Sequence, residues 1–151
     1  MPATDSRDHL DKAVAIVVGA TTAADGEAAA LLGALGLPSA VLVTVLPGRT
    51  IPAAALPFVT AGAAGLATAM VLALLCILPR LGGILPGSWI HWATCDPDQI
   101  TPDASTGPTQ DTVQGLARIA LRKHQLLRAA VLTAIAAVIA LALATATAGA
   151  L

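Results

Sequence analysis

Arg118 and Arg122 stand four residues apart, a spacing that places two guanidinium forks on one face of a helix, where together they match the oxygens of a single phosphate. With Asp111, Gln114 and Gln125 they fall within about 80 degrees of one another on a helical wheel, forming one polar stripe. The competing assignment is juxtamembrane anchoring, in which each basic group meets an anionic lipid head for about 1 kcal/mol. Lys123 and Arg128 point off the stripe and read as anchors. Trp89 and Trp92, the two tryptophans of the chain, have the shape to stack on a nucleobase at about 1–3 kcal/mol each, or to form an interfacial belt at headgroup depth. Asp25 and Glu27 stand at the edge of an uncharged run. A positive partner such as Arg118 or Arg122 would hold them ionised there; plain solvation is the alternative. His91, Cys95 and Asp96 fall short of the four ligands a structural metal wants. With no Ser/His/Asp or Cys/His framework and no Gly-rich phosphate loop, we expect no catalytic residues, no metal, no cofactor and no enzyme.

The elements that must position these groups are apolar. The chain has 151 residues, of which 56% are hydrophobic and 11% charged, less than half the roughly 25% charge of soluble domains. Mean hydropathy is +0.81. A net charge of −1 gives no basic surface for a nucleic-acid partner. Two cysteines, Cys76 in an apolar run and Cys95 in a polar loop, are too few for a disulfide framework and place that loop on a reducing side.

Residues 111–150 read as one helix that begins polar, with a cap from Thr109 or Asp111, and then runs through the 23 residues of 129–151 without a charge, proline or amide. That exceeds the roughly 20 needed to cross a hydrocarbon core. Residues 28–46 form a first span interrupted only by Pro38, and 56–78 a second, introduced by Pro57. Ala61, Gly65, Ala69 and Ala73 make a small-residue stripe on the second span that should face protein. A short helix over 10–24, capped by Asp8 or Asp11, precedes the boundary marked by Asp25-Gly26-Glu27. The 81–108 loop is broken by glycine and proline. The expected fold is therefore all-α and integral to the membrane. It has an N-terminal segment (1–27), a transmembrane hairpin (28–78), a loop and basic helix (79–128) and a third span (129–151), the extensions forming a small cytoplasmic bundle. Seven of the eight Lys and Arg fall on one side, which puts the N-terminus and the large loop in the cytoplasm at the cell membrane. Three Ala-rich spans cannot enclose a pore, so a homo-oligomer among membrane lipid is expected.

Four segments carry a resemblance to a known family: Asp-x-x-Ala-Ala-Ala-Leu-Leu at 25–32, Arg-Leu-Gly-Gly at 80–83, Trp-Ile-His-Trp-Ala at 89–93 and Leu-Ala-Arg-Ile-Ala-Leu-Arg-Lys-x-x-Leu-Leu-Arg-Ala-Ala at 116–130. The chain resembles the small membrane effectors of Pycsar antiphage defence. It differs from the family pattern at Glu27 and His124, where relatives often carry lysine and an aromatic. The resemblance implies a cytoplasmic site for a cyclic pyrimidine mononucleotide, cyclic CMP or cyclic UMP, followed by membrane disruption. On that reading Arg118, Arg122, Trp89, Trp92 and Asp25 are the ligand-binding candidates. The alternative is an accessory membrane protein of a mobile element, or another membrane scaffold, using the same surface for a protein partner.

Overall fold

A computed structural model describes residues 3–45, 48, 50–78, 91, 93–106 and 108–149. Among them every regular element is a helix: α1 (Ala3–Val45), α2 (Leu56–Ile77), α3 (Pro97–Thr106) and α4 (Gln110–Gly149). Three of these are long and apolar enough to cross a membrane, over Asp8–Thr44, Leu56–Ile77 and Gln110–Ala148.

The helix expected over 10–24 and the first span are one rod. α1 starts at Ala3, ahead of Asp8 and Asp11, and continues through Asp25-Gly26-Glu27 and past Pro38. A single glycine costs a helix about 1 kcal/mol against alanine, too little to break a run otherwise rich in Ala and Leu. α4 begins as its sequence suggests: Thr109 Oγ1 accepts from the Thr112 amide at 3.3 Å, and Thr112 Oγ1 accepts from the Thr109 amide at 3.4 Å. This reciprocal arrangement satisfies two of the orphan donors at a helix start. Before α2, Gly48 turns the chain at φ +87°, a conformation open to glycine without strain.

The chain divides into two compact units. One comprises Met1–Ala23 and Pro79–Arg122, the other Ala24–Leu78 and Lys123–Leu151. The second holds the apolar helices and packs them along seams that repeat every three or four residues. On α2 the buried residues are Gly62, Leu66, Ala69, Ala73 and Cys76. On α4 the seam runs through Lys123, Leu127, Ala130, Ala134, Ala137 and Ala144, and on α1 through Ala24, Ala28 and Leu35. Leu35, Leu66, Ala69, Ala134 and Ala137 form one cluster; Ala24, Ala28, Cys76 and Leu127 form another.

The α2 stripe expected at Ala61, Gly65, Ala69 and Ala73 faces protein at Ala69 and Ala73, both fully buried, and at Gly65, which packs on Ala137. At its first position Ala61 is exposed and Gly62 is buried instead, because α2 meets α4 on its Gly62–Gly65 side. A Cβ on Gly62 would lie 2.6 Å from Leu141 Cγ, and one on Gly65 would lie 2.8 Å from Ala137 Cβ. In lipid, where tails are as apolar as leucine, such backbone proximity is what holds helices together. Toward the start of α2 the helices part around an apolar cavity of about 640 Å³ lined by Leu37, Val41, Ile51, Val59 and Leu141, among others. Hydroxyls within the spans bond back to their own helix, as Thr68 does to the Ala64 carbonyl and Thr133 to the Ala129 carbonyl, both at 2.8 Å. Such back-bonds give these hydroxyls a partner within an apolar surrounding.

Candidate functional site: a charged layer between helices

Among the described residues the charged one buried in the apolar unit is Lys123, 7% exposed. It sits on the α4 seam one turn before Leu127, so its stem points between helices rather than to solvent. An isolated ammonium in that position would be strongly disfavoured. Asp25, half-buried on α1, removes the difficulty: Lys123 Nζ donates to Asp25 Oδ1 at 2.5 Å and to Oδ2 at 2.7 Å. These are short, charge-assisted bonds that use both carboxylate oxygens.

α2 closes the same layer. Cys76 is fully buried, with its Sγ 3.5 Å from the Lys123 carbonyl oxygen and 4.0 Å from that of Ala24. The thiol is a weak donor and small enough to let the three helices approach. Ala24 beside Asp25 is likewise fully buried. The layer lies at the polar end of the uncharged runs, three residues before Ala28 on α1 and six before Ala129 on α4.

The structure thus gives Asp25 a different partner from the arginines considered above. Lys123, which reads as an anchor on a wheel drawn around the polar stripe, is the partner itself. Its position on the three-and-four spacing with Leu127, Ala130 and Ala134 is the signal that marks it, since a lysine on a buried seam demands an acid. Glu27 is exposed. Arg118 and Arg122 are both exposed on α4, in the unit made of Met1–Ala23 and Pro79–Arg122, with side chains open to a ligand or a lipid head. Trp89 and Trp92 lie outside the described residues. The His91 carbonyl accepts from the amides of Thr94 and Cys95 at 3.0 and 2.9 Å, closing a turn ahead of α3.

Three long apolar helices, two of them tied by the Asp25–Lys123 ion pair and the third packed on it through Cys76, define an all-α membrane protein with a charged interhelical layer. The comparison with family models is specific: the model described as the Pycsar effector protein domain matches residues 9–150, and the chain belongs to that family of antiphage-defence effectors. No curated protein and no solved structure matches it.

Proposed function

We propose that the chain is a nucleotide-gated membrane effector of the cell membrane, with its N-terminus and 79–128 segment in the cytoplasm. Arg118 and Arg122 take the phosphate of a cyclic pyrimidine mononucleotide, Trp89 and Trp92 stack on its base, and occupancy drives the spans to disrupt the bilayer. Family membership across residues 9–150 carries this reading, and the exposure of both arginines supports it. Asp25, engaged by Lys123, is assigned to the interhelical layer rather than to ligand. Calorimetry of the detergent-purified protein with cyclic CMP, cyclic UMP and cyclic AMP is the direct test. Micromolar binding of one pyrimidine nucleotide is expected. Absence of binding to all three would overturn the sensor and leave the accessory-protein alternative.

Disruption by a three-span chain requires self-association, and α1 offers the face for it. Gly26, Ala29, Gly33, Gly36 and Ala40 are all exposed, at three-and-four spacing, and a Cβ on Gly33 or Gly36 would meet nothing within 4 Å. Leucine at Gly33 therefore leaves the fold of the single chain intact while preventing close approach of a second copy. Light scattering in detergent is expected to show Gly33→Leu as a monomer and the unaltered protein as a homo-oligomer. An unchanged mass would remove α1 as the contact face.

A further inference from the structure

We propose that the Asp25–Lys123 pair is a latch: it holds the three spans in the arrangement described here, and its rupture is the step that releases them. The inference rests on the reading that this chain acts on the bilayer, and it adds which contact restrains that action.

Among the described residues the pair is the ion pair between the spans. Elsewhere the helices meet mostly through alanine, glycine and leucine, with Met70, Cys76 and Ile77 and a weak bond from Ser39 Oγ to Met70 Sδ at 3.6 Å, contacts that a small shift exchanges more easily than a charge pair. Lys123 and Asp25 have no equivalent neighbour one turn along, because the positions three and four residues away are Thr21, Thr22, Ala28 and Ala29 on α1 and Ile119, Ala120, Leu126 and Leu127 on α4. Sliding α1 against α4 by a turn would therefore leave an ammonium facing hydrocarbon. The pair fixes the register of the two helices in the way a single buried polar residue fixes a coiled coil.

Its position adds a second property. The lysine is almost fully buried, whereas the Asp25 side chain retains 36% of its exposure, so the bond is reachable from outside the bundle on its Asp25 side. A contact that is costly to lose and accessible at one edge can be toggled by an arriving charge, since an effector shifts two states only through its different affinity for each. Cys76 makes the latch a three-helix contact, because its thiol packs on the backbone of Lys123 itself.

The test is dye release from phosphatidylethanolamine/phosphatidylglycerol vesicles carrying the full-length protein, with no nucleotide present. Asp25→Asn leaves the buried Lys123 and Lys123→Met leaves the half-buried Asp25 without its partner, and each is expected to raise the leak rate on the order of 100-fold over the unaltered protein. The exchange Asp25→Lys with Lys123→Asp re-forms the pair with reversed polarity and is expected to return the leak to within several-fold of the starting value. Leak rates equal to the unaltered protein in both single variants would overturn the latch. So would an exchange variant as leaky as the singles. Should a neutral variant not accumulate as folded helix by circular dichroism, Asp25→Glu keeps both charges and lengthens one arm; it is expected to leak at an intermediate rate, and an unchanged rate in it overturns the latch. Nucleotide-evoked leak in the unaltered protein with silent single variants sinks the latch alone. No leak from any variant, with or without nucleotide, sinks the bilayer reading and the latch with it.

Discussion

Glutamine at both Arg118 and Arg122 is expected to abolish nucleotide binding while leaving insertion and helicity unchanged. Each arginine would place charge-assisted hydrogen bonds on the phosphate, and such bonds contribute about 1.5–3 kcal/mol apiece. Together they amount to about 3–6 kcal/mol, an affinity loss on the order of a hundred- to ten-thousand-fold. Both side chains are exposed and lie outside the Leu66 and Cys76 clusters, so the packing of those two clusters does not depend on them. Calorimetry with cyclic CMP and cyclic UMP measures the loss, and circular dichroism in detergent checks the fold. Binding unchanged by the double substitution would return the pair to a role as lipid anchors.

The second large effect is on stability and falls at Gly65. A valine there would put its Cβ 2.8 Å from Ala137 Cβ and 3.4 Å from Ala137 Cα. An alanine methyl cannot rotate away, so α4 itself must move. We expect a loss of about 3 kcal/mol, the upper end for overpacking a tight interior, read as a fall in the unfolding midpoint in mixed micelles. Gly62→Val is expected to be milder. Its nearest neighbours are Leu141 Cδ2 and Cγ, the end of a side chain with alternative rotamers, although the Ala137 carbonyl oxygen at 3.2 Å limits that relief. Gly19, where a Cβ meets nothing within 4 Å, serves as the control: Gly19→Ala should stabilise its helix by up to about 1 kcal/mol. Equal midpoints for Gly65→Val and Gly19→Ala would disprove the close α2–α4 approach.

The spans were legible in the sequence because a bilayer imposes a length. The uncharged runs of 28–46, 56–78 and 129–151 end within a residue or two of Val45, Ile77 and Gly149. The Thr109 cap was legible from its chemistry. What the sequence conceals is which side of each apolar helix faces protein. In a soluble helix polarity marks the outer face, but here both faces are apolar and only residue size distinguishes them, which is how Ala61 came to stand in for Gly62. Lys123 was hidden for another reason. Its meaning depends on Asp25, 98 residues away along the chain, and a wheel drawn for one helix contains no information about the helix beside it. The continuity of α1 through Gly26 was obscured by reading acids as a break, when a helix can carry a carboxylate on its flank and continue.

The seams of α2 and α4 are built mostly from alanine and glycine, and that has a mechanical consequence. Large interlocking side chains resist sliding because each must climb out of a deep hole; methyl groups present a shallow corrugation with closely spaced minima. Such a surface holds helices close without gripping them along their length. Among the described residues the charge pair that grips stands at one end of this bundle, and on the function proposed above a smooth shaft with a catch at one end suits a protein that waits in the membrane and then converts quickly.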